Sequence, residues 1–205
     1  MTTRIRTADG EQLETMVTKA EEPTGTVVLC HPHPLQGGTM RAPILGAITQ
    51  ACIAANLDVI RFNFRGVGES TGEHGDGIAE LRDVDAAVSL AEERSLPLVG
   101  IAGWSFGAAV ALHWQSMTAS SINYCGIAPP VDKPLSAGLP DPEELASAAR
   151  TFVVGNRDQL IDVDALVSYA ASIDADIIRY ETADHFFVFR HERLATDVVT
   201  ALQKP

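Results

Sequence analysis

Three residues of this sequence have the types and spacing to do chemistry together: Ser105, Asp158 and His185. Ser105 lies in Gly103-Trp104-Ser105-Phe106-Gly107, which reads G-x-S-x-G. A serine hydroxyl is a weak nucleophile at neutral pH. It needs a base, and the base needs an acid to orient it. Asp158 follows the apolar run TFVVG, and His185 follows DIIRYE. In chain order, nucleophile, acid and base suit a serine on a sharp strand-to-helix corner with its partners on later strand ends. The chemistry of such a set is acyl transfer: attack on a carbonyl, a covalent acyl-enzyme, and release by water.

A pentapeptide this short arises by chance, so its surroundings carry the weight. LVGIAG before it is strand-like and FGAAVALHW after it is helical. A tight corner brings the positions two before and two after the serine close together, and only small residues fit, hence Gly103 and Gly107. The competing reading of Ser105 is a simple helix N-cap. The helix N-terminus also places the Phe106 amide beside the serine oxygen, as a donor to an oxyanion. A second donor is expected from the loop His31-Pro32-His33-Pro34-Leu35-Gln36-Gly37-Gly38. Prolines lack the N–H, which leaves His33 and Leu35. Leu35 is favoured because it opens the flexible part of the loop. The H-x-H pair lacks a third ligand at a convincing spacing, so no metal is expected, and imidazole hydrogen bonds that fix the loop are the expected role.

Other polar residues compete for the roles of acid and base. Asp162 reads as the cap of the helix VDALVSYAAS, and Asp184 as pointing away from its neighbour His185. His191 reads as surface, about two turns inside the last helix. His113 and His74 read as structural or solvated. Trp104, Phe106, Phe186 and Phe187 are placed to contact a short acyl group or to fill core, with Trp104 and Phe186 taken as the substrate contacts.

The elements that must hold these residues alternate. RIRT and QLETMVTKA form a hairpin around Asp9-Gly10. Six strands follow: TVVLCHP, DVIRFNF, PLVGIAGW, SINYCGIA, ARTFVVG and DIIRYET. Helical patterns separate most of them, at APILGAITQACIAANL, GIAELRDVDAAVSLAEER, SFGAAVALHWQSM and VDALVSYAAS, with FFVFRHERLATDVVTALQ last. In the second helix Ile78, Leu81, Val84, Val88 and Leu90 share a face. The pattern is α/β: a mostly parallel sheet of about eight strands in one domain over residues 1–205, with helices on both faces. Ligands bind such sheets at the carboxyl ends of the strands, where all three candidates fall.

Composition narrows the partners. The net charge of −12 disfavours nucleic acid, which needs a basic footprint, and anionic membranes. Cys30, Cys52 and Cys125 each sit in an apolar run and read as buried thiols in a reducing compartment. No signal-peptide h-region and no apolar run near membrane-spanning length occurs, so a cytoplasmic location is expected. RGVGESTG has Thr71 where a dinucleotide fingerprint needs glycine, and no P-loop pattern exists. No cofactor is expected. The expected partner is a small-molecule ester, and a homodimer is compatible with the sequence.

Four stretches in order, HPHPLQGGTM, FNFRGVGEST, GWSFG and ADHFF, make residues 26–202 resemble the α/β-hydrolase superfamily. The likeness is to its small, lidless members related to dienelactone hydrolases and serine esterases. The resemblance implies Ser105 as nucleophile, His185 as base, Asp158 as acid and the Phe106 N–H in the oxyanion hole. Dienelactone hydrolases proper carry cysteine where this chain has Ser105, so their lactone substrate does not transfer. Only PPVDKPLSAGLPDPEELASA separates the sixth strand from the next: room for a proline-rich loop and a short helix at DPEELASA, not for a helical lid. A carboxylesterase for short-acyl esters is the expectation. The same three residues would also serve a thioesterase, amidase or peptidase, and a non-catalytic binding protein is the reading from outside enzymology.

Overall fold

A computed structural model describes residues 2–132 and 138–204. The hairpin β1 (Thr2–Arg6) and β2 (Gln12–Thr18) is antiparallel and joins the sheet through β4 (Leu57–Phe62). The strands β3 (Gly25–Cys30), β4, β5 (Leu98–Trp104), β6 (Asn123–Ile127), β7 (Arg150–Gly155) and β8 (Asp176–Tyr180) pair in parallel. The full order in this eight-stranded sheet is β1-β2-β4-β3-β5-β6-β7-β8. Parallel strands sandwiched between helices bury both faces, which is why β3 and β7 are buried at every position.

Helix α1 (Pro43–Ala54) packs against α5 (His191–Leu202) on one face, and α2 (Leu81–Glu92) against α3 (Phe106–Thr118). Helix α4 (Val163–Ser172) covers β7 and β8. Pro43 opens α1, where its missing N–H costs nothing, and Asn56 beyond its end takes a left-handed φ of 58°. A continuous apolar cluster fills both sides of the sheet, among it Val27, Ile60, Ile101, Phe152, Leu166 and Leu202. Cys30, Cys52 and Cys125 are buried free thiols within it, and burial raises all three above the ordinary thiol range.

Two helices start later than their patterns predict. Helix α2 begins at Leu81 because the loop before it wraps the Glu80 carboxylate, which accepts from the Gly75 amide (2.8 Å) and the Gly77 amide (2.9 Å). Ile78 therefore leaves the apolar face and is 61% exposed. Helix α5 begins at His191 because Phe187 and Phe189 hold φ of 49° and 61°, which no right-handed helix accommodates. His191 is thus the first residue of α5, not two turns inside it. DPEELASA contributes a 3-10 turn at Pro142–Glu144 in place of a short α-helix. Lys133 to Ala137 of the same connection lie outside the described residues.

The loop after β4 ties the hairpin edge to the sheet through a buried guanidinium. Arg65 Nε and Nη2 donate to Asp83 Oδ1 (3.0 and 2.7 Å), and its backbone N–H donates to Asp83 Oδ2 (2.8 Å). Nη1 reaches Asp9 Oδ2 in the hairpin turn at 3.0 Å. Burial works against both charges; the bonds outweigh it at Arg65, while at Asp83 burial still pushes the carboxyl up to about 6.

Candidate active site

Strand β5 runs directly into α3, and Ser105 is the corner between them. Its φ of 54° and ψ of −122° are strained for a residue with a side chain. The surrounding structure holds it there: its N–H donates to the Ile127 carbonyl at 2.7 Å, and its carbonyl accepts from Ala108 at 2.9 Å. A Cβ at position 107 would lie 2.3 Å from the His31 carbonyl, and one at position 103 would lie 2.5 Å from Ala108 N. Both glycines are therefore required by close backbone approach. Ser105 occupies the N-cap position, yet its hydroxyl makes no capping bond. The hydroxyl is instead part of the lining of a cleft.

That cleft, of about 310 Å³, brings Ser105 and His185 together with the loop after β3. Trp104, Phe186 and Leu160 form its apolar wall, and among the described residues that line it none is an acid, a lysine or an arginine. His185 Nδ1 lies 2.8 Å from Asp158 Oδ2, on a carboxylate whose side chain has no exposed surface. The other oxygen, Oδ1, accepts from the Leu160 amide (2.8 Å) and the Ile161 amide (3.1 Å), so the carboxylate is fixed from both ends. Trp104 Nε1 donates to the His185 carbonyl at 3.2 Å, and the two rings pack at 5.8 Å. Trp104 is thus both core, at 7% exposure, and cleft wall. Phe186 lies edge-on to His185 at 5.6 Å, while Phe187, its neighbour, is wholly buried against Tyr180 at 5.5 Å.

The remaining acids and histidines hold other posts. Asp162 caps α4 through Ala165 N (2.9 Å), and Asp184 accepts from Phe186 N (3.0 Å) within its own turn. His113 Nε2 meets the Gly138 carbonyl at 3.2 Å. His191 Nε2 meets the Phe186 carbonyl at 2.9 Å. His74 is not solvated: its side chain is 9% exposed and sits beside buried Glu80.

In the loop after β3, the amide expected to serve as the second donor is engaged elsewhere. The Leu35 amide is already given to His33 Nδ1 at 3.2 Å, and the Leu35 side chain is 74% exposed and outside the cleft. Among the described residues, no hydrogen bond takes up the His33 amide, and His33 does line the cleft. Both imidazoles of the H-x-H pair fix the loop. His31 Nε2 accepts from the Phe64 amide (3.0 Å) at the end of β4, so its Nδ1 carries the proton and donates to the Pro32 carbonyl (2.6 Å). Burial pushes the His31 imidazole down to about 4, which keeps it neutral and an acceptor. Burial also lowers His33, with His74 beside it adding to the effect. No group of histidines, cysteines or acids able to hold a metal occurs among the described residues. Gln36, Gly37, Gly38, Ala42, Pro43 and Leu160 complete the cleft without having been singled out in the sequence. The sequence signal for the first three is that they sit in HPHPLQGGTM, beside the His-Pro pair in a loop after a buried strand.

Comparison with known proteins agrees with this architecture. No family model matches the chain. An uncharacterised protein of Rickettsia prowazekii is 28% identical over 193 residues, 90% of this chain and 81% of that one. Among solved structures, an α/β serine hydrolase homologue from Coxiella burnetii superposes with a TM-score of 0.85 at 29% identity, covering 98% of this chain and 96% of its own. An α/β serine hydrolase without a lid from Xanthomonas campestris gives 0.80 at 25% identity, covering 99% and 91%. The chain has the α/β-hydrolase fold and resembles the lidless serine hydrolases of that superfamily. No helix among the described residues is long and apolar enough to cross a membrane.

Proposed function

We propose that the protein is a carboxylesterase that cleaves small, short-acyl esters through an acyl-enzyme on Ser105. The carrying observation is that the strained Ser105 corner lines one cleft with His185, which a buried Asp158 holds from behind at 2.8 Å. With Nδ1 engaged by Asp158, the His185 ring presents Nε2 as the base. Ser105 Oγ attacks the ester carbonyl as Nε2 takes its proton, and the amides of Phe106 and His33 receive the oxyanion. The tetrahedral adduct collapses, the ester C–O bond breaks, and His185 returns the proton to the departing alcohol. Water then repeats the sequence on the acyl-enzyme and frees the acid. Asp158 keeps the tautomer and stabilises the imidazolium throughout.

The size and lining of the cleft support the substrate class. At about 310 Å³ it stands at the small end of ligand pockets. The absence of acids, lysines and arginines among its described lining residues and the chain's net charge of −12 favour an uncharged acyl group. The test is hydrolysis of p-nitrophenyl acetate, butyrate and octanoate by the purified protein and by Ser105→Ala. Turnover should be highest on the short esters and absent in the variant, with fluorophosphonate labelling confined to the wild type. Undiminished turnover by Ser105→Ala would overturn the assignment.

A further inference from the structure

The two amides assigned to the oxyanion belong to residues whose side chains meet a third ring. His33 and Phe106 pack with their rings tilted at 46° and centroids 5.0 Å apart. His74 closes the triangle, 5.1 Å from His33 and 5.3 Å from Phe106. Rings at these separations attract in preferred orientations beyond simple burial. Phe64 supports Phe106 edge-on at 5.5 Å. The loop after β3, the start of α3 and the loop after β4 therefore converge on one imidazole.

His74 is itself held from behind. Its Nδ1 stands 2.9 Å from Glu80 Oε1, on a side chain with no exposed surface. Nδ1 makes no hydrogen bond of acceptable geometry to that oxygen, so the carboxylate places the ring by close contact rather than by a directed bond. Glu80 in turn is clamped by the Gly75 and Gly77 amides. A buried carboxylate fixed by backbone donors gives the imidazole a rigid seat.

Resting on the oxyanion reading above, we infer that His74 is a positioning residue: seated on Glu80, its ring sets the spacing between the His33 and Phe106 amides. An oxyanion hole works because its donors are already aimed where charge develops, so their spacing enters the rate. His74 does not line the cleft and touches no reacting atom. Its loss acts on the transition state and spares the ground-state complex.

The experiment compares His74→Ala and His74→Phe with wild type. It uses kcat and KM on p-nitrophenyl acetate, inhibition by a trifluoromethyl ketone that forms a tetrahedral adduct, and thermal melting. His74→Ala should lower kcat by roughly 10- to 100-fold, in line with the cost of small misplacements. KM should stay within about twofold, and the ketone should weaken by the same factor as kcat. His74→Phe restores a ring of similar size and should recover most of kcat. The inference is overturned if His74→Ala keeps kcat within twofold of wild type, if KM alone changes, or if His74→Phe is as impaired as the alanine variant. The oxyanion assignment is tested separately with His33→Pro against His33→Ala, since His33 has a φ of −51° that proline adopts. Equal activity in that pair removes the His33 amide from the mechanism. A crippled proline variant beside an unaffected His74→Ala removes only the positioning role.

Discussion

Two buried polar clusters sit on the same sheet and are finished differently. Around Arg65, the side-chain nitrogens and the backbone amide all end on Asp83 or Asp9. Around Ser105, Asp158 and His185 are tied together, but the serine hydroxyl caps nothing, and no bond among the described residues uses the His33 amide. The first cluster is closed and makes structure. The second is left open on the side that faces a cleft, and it keeps a strained residue to do so. Hydrogen-bond capacity left unused beside a strained residue at a cleft is where chemistry is to be sought.

Breaking the open cluster should cost activity without stability. Ser105→Ala should lower kcat/KM on p-nitrophenyl acetate by 10³-fold or more, the scale on which triad nucleophiles act. Asp158→Asn should follow at about 10³- to 10⁴-fold, because the amide supports the wrong imidazole tautomer. Neither should lower the melting temperature by more than a few degrees. Ser105→Gly should raise it, because glycine adopts a φ of 54° without strain.

Breaking the closed cluster should do the reverse. Asp83→Ala leaves the Arg65 guanidinium buried without its main partner and should cost roughly 3–5 kcal/mol in urea unfolding. Folded molecules of this variant should keep near-normal kcat. An activity loss larger than the loss of folded protein would show that the two regions are not separable.

His31 lies between the two and sharpens the boundary. Burial holds its imidazole down at about 4 in the fold, below the ordinary histidine value of 6.5, so the unfolded chain binds a proton that the folded chain refuses. Stability conferred by this group is present above pH 6.5 and is lost as pH falls towards 4, by about 3 kcal/mol in all. His31→Gln, which can still accept from the Phe64 amide, should flatten that segment of the melting-temperature profile. An unchanged pH dependence in the variant would assign the acid sensitivity elsewhere. The smallest effect belongs to the cleft wall: Phe186→Ala should raise KM a few-fold, with kcat nearly unchanged, since an exposed edge contributes about 1 kcal/mol.

The same contrast explains what the sequence conveyed. The closely spaced signals were legible: alternating strands and helices, the small residues flanking Ser105, and acid and base on successive strand ends. The helix starts were not, since α2 yields to a loop wrapped around Glu80 and α5 to the left-handed backbone at Phe187 and Phe189. Periodicity is blind to both. The Arg65 hub joins residues 56 positions apart, and no local pattern announces such a partner. That the Leu35 amide is taken up depends on where the single nitrogen Nδ1 of His33 points, which no local pattern conveys.

Phe186 and Phe187 are adjacent yet face opposite ways, one half-exposed in the cleft and the other locked in the core against Tyr180. His185 therefore hangs from a residue that can leave only when the interior melts. Heat should not loosen this site ahead of the body of the protein. Thermal inactivation and the loss of near-ultraviolet circular dichroism should trace one curve, with no temperature at which the fold persists and turnover has gone.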